Sequence, residues 1–224
     1  MNKPIIVFDF DSTFYSGKNV FCYVEDYVKR NRRKFLPNIT DTQYEDICKN
    51  DTYWLEQISG KDIVNAIYKL KDKYTNYKID TNAFWQCQQD EIYKINLDGA
   101  QKVDAKFIEK TCSEYHCYIV SNSSPKHLHY YMKKLNINLD WFVEIISNHF
   151  VEADPTKQHY YTKIAKEENI DPSKMLVFGD SDVSDLLPAR KIGAKTFLIK
   201  NAEDINEIVL NALKNEEQIM KKEE

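Results

Sequence analysis

Five short apolar runs, separated by longer amphipathic stretches, are the feature of this 224-residue sequence that most restricts its fold. Each run is typical of a strand buried on both faces. Helix-length stretches between such strands predict a parallel sheet, because parallel pairing needs a long crossover connection. We therefore expect an α/β core of three layers, with a Rossmann-like parallel sheet between helices. The predicted strands are residues 4–10, 117–120, 141–146, 175–178 and 196–199, and the predicted helices are residues 104–114, 125–135, 157–168 and 184–191.

The stretch between Gly17 and Gly99 differs from the rest, because it contains no strand-like run of β-branched residues. Four segments there have the length and apolar spacing of helices, at residues 20–30, 42–49, 62–74 and 82–95. The pattern predicts an all-helical cap domain of residues 17–98. This cap would be inserted into an α/β catalytic core formed by residues 1–16 and 99–224.

Polar residues cluster where the predicted strands end, in the segments DFDST, VSNSSP and GDSDVSD. In an open parallel sheet, ligands bind at the carboxyl ends of the strands. A lysine at the start of the helix before the fourth strand would reach the same edge. The candidate site residues are Asp9, Asp11, Ser121, Asn122, Lys157, Asp180 and Asp185.

Several converging carboxylates repel one another unless a hard cation lies among them, and oxygen ligation of a small divalent ion favours Mg²⁺. Asp9 would then be a nucleophile facing a phosphorus atom, with Ser121 and Lys157 binding the remaining oxygens. Ser121 and Asn122 would also cap the following helix, whose N-terminus accepts anions. Asp11 could act first as an acid and then as a base. These residues favour hydrolysis through an aspartyl phosphate.

The four motifs, in this order and with three of them following hydrophobic strands, resemble those of the haloacid dehalogenase superfamily of phosphohydrolases. The resemblance covers residues 1 to about 16 and about 99 to 200. It implies a Mg²⁺-dependent phosphoric monoester hydrolase that acts on a small phosphorylated metabolite. Because Lys157 opens a helix, the spacing from Lys157 to Asp180 looks most like the phosphoserine-phosphatase-like branch.

Carried over by position, the resemblance implies that Asp9 is the nucleophile and Asp11 the general acid and base. It also implies that Ser121 and Lys157 hold the phosphoryl group. The Mg²⁺ ligands would be Asp9, the backbone carbonyl of Asp11, and Asp180.

A second acidic residue of the last motif would support the metal through water. In many relatives this residue follows the first by four positions, where this chain has Ser184. We therefore expect Asp185 to take the role, with Asp182 as the alternative.

These residues and their positions also bear on other functions. A glycosyltransferase with paired aspartates would need a nucleotide-binding segment before the pair, and only eight residues precede Asp9. A phosphoacceptor receiver domain has no use for the long helical insertion. A phosphomutase, or a protein that binds phosphorylated ligands without turnover, remains an alternative on the same fold.

Composition limits the partners. The net charge of −4, from 31 basic and 35 acidic residues, predicts no nucleic-acid or membrane partner. No apolar run reaches membrane-spanning length.

Five irregularly spaced cysteines suit a reducing cytoplasm. The five histidines show no zinc-ligand spacing. A basic cluster at residues 29–34 is best explained as a solvated helix end, or else as a cap surface that attracts an anionic substrate.

Overall fold

The structure is a computed structural model that describes residues 3–16, 40–42, 97, 100–147 and 157–223. The chain divides into two compact units, Met1–Gly17 with Asp98–Glu224, and Lys18–Leu97. Nearly all of the predicted cap at residues 17–98, including the basic cluster at 29–34, lies outside the described residues. Its helical character and its boundaries therefore stay predictions.

The first unit is built on a parallel sheet of five strands, in the order β3-β2-β1-β4-β5. The strands are β1 (Ile5–Phe8), β2 (Cys117–Ser121), β3 (Glu144–Ser147), β4 (Met175–Gly179) and β5 (Lys195–Leu198). The helices are α1 (Ala105–Glu114), α2 (Pro125–Lys134), α3 (Gln158–Glu167), α4 (Leu187–Lys191) and α5 (Ile205–Glu223). The predicted α/β class is confirmed for this unit.

The strand order places a topological switch point between β1 and β4. From β1 the chain proceeds to β2 and β3 on one side, and it then returns across β1 to form β4 and β5 on the other side. Right-handed crossovers in opposite directions leave their helices on opposite faces of the sheet. A crevice therefore opens between the carboxyl ends of β1 and β4, where ligands bind in sheets of this kind.

The central strands are buried on both faces, as their apolar runs predict, and β1 shows how they pack. Ile5 and Val7 belong to a cluster that includes Tyr161 and Ile164 of α3. Phe8 packs instead against Phe14 and Phe178, at centroid distances of 5.3 Å and 5.5 Å. Successive side chains of a strand alternate between the two faces of the sheet. A strand that is buried on both faces therefore needs apolar residues at every position.

The sequence interpretation was less accurate at the sheet edges. The segment predicted as a strand from residue 141 starts with a 3₁₀ turn, Leu139–Trp141, and pairing begins only at Glu144. β3 and β5 are partly exposed, contrary to the prediction that every strand is buried on both faces. Within the part of the chain that the structure describes, both are edge strands with a neighbour on one side only. Within the described residues, no helix is long and apolar enough to cross a membrane.

A tight turn follows β1 and leads to a paired connector. The amides of Thr13 and Phe14 donate to the carbonyl of Phe10 at 3.2 Å and 2.9 Å. Beyond the turn, the backbone of residues 14–16 pairs with that of residues 101–103 through hydrogen bonds of 2.7 Å and 2.9 Å. The departing and returning chain segments are thus held together beside the end of β1.

Ser12, inside this turn, has a left-handed backbone conformation with φ of 61°. Such a conformation crowds the Cβ of an L-residue and excludes β-branched side chains almost completely. We expect Ser12→Val to lower the free energy of unfolding by about 1–2 kcal/mol, and Ser12→Gly not to lower it. Denaturant unfolding of both variants would measure this, and a Ser12→Val protein as stable as the wild type would contradict it.

Candidate functional site

Three carboxylates meet at the carboxyl ends of β1 and β4. Asp9 follows β1, Asp180 follows β4, and Asp185 lies one turn further along the chain. One oxygen from each lies within 4.8 Å of the others, and Asp9 and Asp185 are buried. The amide of Asp9 donates to the carbonyl of Phe178 at 2.8 Å, which fixes the Asp9 backbone against β4. The structure thus brings together three of the candidate residues, Asp9, Asp180 and Asp185.

Lys157 brings a cation into the same cluster. It precedes α3, its side chain is 1% exposed, and Nζ donates to Asp9 Oδ1 and Asp185 Oδ1, both at 2.6 Å. Burial alone would lower the pKa of Lys157, but Asp185 and Asp9 raise that pKa well above its ordinary value. The ammonium is therefore a fixed positive charge between two carboxylates.

One lysine does not neutralise three carboxylates, and their pKa values reflect the imbalance. Burial, with Asp185 and Asp11 adding to it, raises the pKa of Asp9 to about 7 although Lys157 opposes the shift. Burial together with the charges of Asp9 and Asp185 raises the pKa of Asp180 to about 9. At neutral pH the cluster thus holds protons that a divalent cation would displace.

A π-helical turn, Asp182–Leu186, determines which acidic residue of the last motif enters the site. The amide of Leu186 donates to the carbonyl of Ser181 at 3.2 Å, five residues back. A π turn contains one residue more than an α turn, so it accommodates the longer spacing and places Asp185 inside. The side chain of Asp182 is 64% exposed and pairs with Arg190. Of the two alternatives, Asp185 alone lies in the cluster.

Gly179, the last residue of β4, makes room for that turn. A Cβ at this position would lie 2.7 Å from both Cβ and Oδ2 of Asp185, which is closer than packed carbon atoms can approach. The missing side chain is therefore what lets the Asp185 carboxylate pack directly on the strand end.

Asp11 lies in a different environment from Asp9. Its Oδ1 accepts hydrogen bonds from His127 Nε2, at 2.5 Å, and from the hydroxyl of Tyr15. Its Oδ2 accepts from the hydroxyl of Ser123, and from that of Ser121 at 3.4 Å. Burial would raise the pKa of Asp11, but the charge of His127 and these hydrogen bonds outweigh it and lower the pKa to about 2. Asp11 is therefore ionised at neutral pH.

The loop after β2 places Ser121 and Asn122 at the same edge of the sheet. Ser121 is buried, and its Oγ accepts the amide of Ser123 at 3.1 Å. Asn122 is half-buried in the same loop. The expectation that these two residues cap α2 was wrong, because the cap is Ser124, whose hydroxyl accepts the amide of His127 at 3.2 Å. Ser121 and Asn122 thus lie ahead of the first helical turn.

The sequence interpretation assigned no role to four residues whose side chains contact Asp9 or Asp11: Thr13, Tyr15, Ser123 and His127. The hydroxyl of Thr13 donates to Asp9 Oδ2 at 3.0 Å. Thr13 and Tyr15 each lie four residues after the aspartate that they contact, a spacing that one turn brings together. His127 follows Pro125 on the first turn of α2, so its position after VSNSSP was the available signal. Because the histidines were considered only as zinc ligands, the contact of His127 with Asp11 was not predicted.

The donor set of Asp9, Asp180 and Asp185 suits a hard divalent cation, because all three offer carboxylate oxygens. Within the described ranges, this is the one group of three or more acidic, histidine or cysteine side chains close enough to share an ion. The raised pKa values of Asp9 and Asp180 are a second sign, since the cluster lacks positive charge. The residues therefore fit a bound metal ion.

Comparison with known proteins agrees with this geometry. A family profile described as a haloacid dehalogenase-like hydrolase matches residues 4–193. No curated protein matches the chain.

Several solved structures share the fold at low sequence identity. The HAD-hydrolase YfnB from Bacillus subtilis, solved with bound magnesium, is 14% identical with a TM-score of 0.56, over 93% of this chain and 99% of that one. A haloacid dehalogenase-like hydrolase from Streptococcus pneumoniae is 18% identical with a TM-score of 0.59, over 91% and 89%. A protein from Haemophilus somnus, described as a predicted phosphoglycolate phosphatase, is 16% identical with a TM-score of 0.54, over 88% and 84%.

The profile spans most of the chain, including the three aspartates and the buried lysine, and the chain belongs to the haloacid dehalogenase-like hydrolases.

Proposed function

We propose that this protein is a Mg²⁺-dependent phosphatase that hydrolyses a small phosphorylated metabolite through an aspartyl phosphate on Asp9. The observation that carries the proposal is the position of Asp9, which has a buried ammonium 2.6 Å from one oxygen and the acidic cluster beside it. A carboxylate in this setting can receive a phosphoryl group whose negative charge is then balanced.

The residues around Asp9 would bind the phosphoryl group. Lys157 supplies a fixed positive charge, and the hydroxyl of Ser121 supplies a neutral donor. Asn122 lies in the loop that leads to the N-terminus of α2, an end of the helix that favours anions. These groups come from different chain segments, so they would surround the phosphorus on several sides.

Asp9, Asp180 and the backbone carbonyl of Asp11 would hold Mg²⁺, with Asp185 supporting the ion through water. When bound, Mg²⁺ would polarise the phosphoryl oxygens and offset the negative charge of the carboxylates. The magnesium bound to the B. subtilis relative supports this choice of ion.

Asp11 would manage the proton. In the second half of the reaction, water attacks the phosphorus, the bond to Asp9 breaks, and Asp11 takes the proton from water. The ionised state of Asp11 supports this base role directly. In the first half, Asp11 must take up a proton before it can give one to the leaving oxygen.

The cap at residues 17–98 would select the substrate, since the candidate site residues of the core are assigned to the phosphoryl group, the ion and the proton. The paired connectors at 14–16 and 101–103 lead to and from this segment. A panel of phosphoserine, sugar phosphates, phosphoglycolate and nucleoside monophosphates would identify the substrate class. A phosphorylated isomer as product, in place of free phosphate, would favour a phosphomutase instead.

The first test concerns the nucleophile. The purified protein should release phosphate from p-nitrophenyl phosphate with Mg²⁺, and Asp9→Asn should reduce the rate by more than about 10⁴-fold, because the amide cannot attack phosphorus. Initial rates with Mg²⁺ and with EDTA would measure this. Wild-type turnover that survives EDTA, or an active Asp9→Asn protein, would show that the mechanism is wrong.

A second test separates the two acidic residues of the last motif. Asp185→Asn should lower activity by roughly 10–100-fold, since it removes the negative charge that pairs with Lys157 and that would support the ion. Asp182→Asn is the matched control, because Asp182 pairs with Arg190 at the surface, and it should change the rate by less than about twofold. Equal losses in the two variants would refute the assignment of Asp185.

A third test uses stability, which does not depend on turnover. Asp9 and Asp180 have raised pKa values in the folded protein, so the stability they contribute is complete near pH 4 and falls as the pH rises towards 7 and 9. Each group can change the free energy of unfolding by up to about 1.4 kcal/mol per pH unit. Mg²⁺ should therefore raise the melting temperature more at pH 8 than at pH 5.

Asp180→Asn provides the comparison for that experiment. Without the carboxylate, metal-free protein should lose less stability between pH 5 and pH 8, and Mg²⁺ should stabilise it less. Thermal unfolding in EDTA and in Mg²⁺ would measure both quantities. A Mg²⁺ effect that is equal at the two pH values in the wild type would count against the metal site.

A further inference from the structure

His127 is a buried histidine that the reaction described above does not use. Its side chain is 2% exposed, and Nε2 lies 2.5 Å from Asp11 Oδ1. The carboxylate oxygen is the acceptor in this contact, so Nε2 is the donor and carries a proton. The hydroxyl of Tyr15 donates to the same oxygen and lies 3.5 Å from Nε2. Two donors from different elements therefore converge on one oxygen of Asp11.

The histidine ring is itself fixed on several sides. It packs edge-on against Phe10 at a centroid distance of 6.4 Å and lies 4.6 Å from the ring of Tyr131. Its amide is bound to the hydroxyl of Ser124. Tyr15 stacks on Tyr131 at 5.5 Å, so both donors share one aromatic support. Neither donor can rotate freely away from Asp11.

Packing alone does not account for a histidine at this position. Among the residues that the structure describes, Nδ1 of His127 has no hydrogen-bond partner although it is buried. An unpaired buried nitrogen is unfavourable compared with an apolar side chain of similar size. The short polar contact of the His127 side chain is the one with Asp11.

The other oxygen of Asp11 faces the loop that is proposed to bind phosphate. Oδ2 accepts from Ser123 and lies 3.4 Å from the hydroxyl of Ser121. With Oδ1 held by His127 and Tyr15, the carboxylate cannot turn without breaking several hydrogen bonds. Small displacements of a catalytic group are costly in rate.

We infer that His127, together with Tyr15, is a positioning residue that holds the Asp11 carboxylate in the orientation from which it takes the proton of the attacking water. This inference rests on the proposed phosphatase function. In the step concerned, the water oxygen bonds to phosphorus, the phosphorus–oxygen bond to Asp9 breaks, and the proton passes to Asp11.

The experiment separates formation of the aspartyl phosphate from its breakdown. With p-nitrophenyl phosphate, a good leaving group, kcat/KM reports attack by Asp9, whereas kcat also includes hydrolysis of the intermediate. His127→Leu should lower kcat by at least about tenfold, because a misplaced Asp11 loses part of the rate enhancement that a general base provides. The value of kcat/KM should stay within about threefold of the wild type. KM should fall in parallel, and rapid mixing should show a p-nitrophenol burst stoichiometric with enzyme.

Matched variants complete the test. His127→Gln places an amide N–H near the position of Nε2 and should recover most of kcat, and Tyr15→Phe should lower kcat in the same direction but less. His129→Leu makes the same change at an exposed site of α2 and should behave as the wild type. Parallel losses of kcat and kcat/KM, or no loss, in His127→Leu would overturn the positioning role alone. A wild type without Mg²⁺-dependent turnover would overturn the proposed function as well.

Discussion

The site depends on one buried ammonium. Lys157 Nζ lies 2.6 Å from oxygens of both Asp9 and Asp185, and all three side chains are almost completely buried. A buried charge is tolerated only when it is paired and hydrogen-bonded, so the lysine requires both carboxylates and they require it. The two ion pairs tie the start of α3 to the residues that follow β1 and β4. Because Asp180 adds a further negative charge, the same interaction leaves the cluster short of positive charge.

The sheet topology explains why these residues meet although they are far apart in sequence. β1 and β4 are neighbours, and Asp9 and Asp180 each follow the last residue of their strand. The β1–β4 boundary is also the switch point, where none of the described crossover helices covers the strand ends. The apolar residues of β1 and β4 are therefore as necessary to the site as its carboxylates, since their pairing sets the distance between Asp9 and Asp180.

The features that depend on strand order and residue polarity could be predicted from the sequence. Runs such as IIVF and MLVF indicate buried parallel strands, and parallel strands bring their carboxyl ends together, so the convergence of Asp9 and Asp180 could be foreseen. The choice between Asp182 and Asp185 depended on a π turn, which leaves no periodic signal in five residues. The contact between Asp11 and His127 joins residues 116 apart. The position of His127 after VSNSSP indicates the correct sheet edge, but the rotation of α2 that turns its side chain to Asp11 leaves no local pattern.

Two aspartates separated by one residue thus have opposite electrostatic environments. Asp9 points into a crowded group of carboxylates, where burial raises its pKa to about 7, whereas Asp11 points to His127, Tyr15 and Ser123, which lower its pKa to about 2. Titratable groups whose pKa values are driven apart in this way are suited to different chemical roles. The proposed division of labour follows from this contrast. Asp9 would gain its nucleophilic charge once a cation balanced the cluster, and Asp11, which is already ionised in the resting site, would be ready to accept a proton from the attacking water.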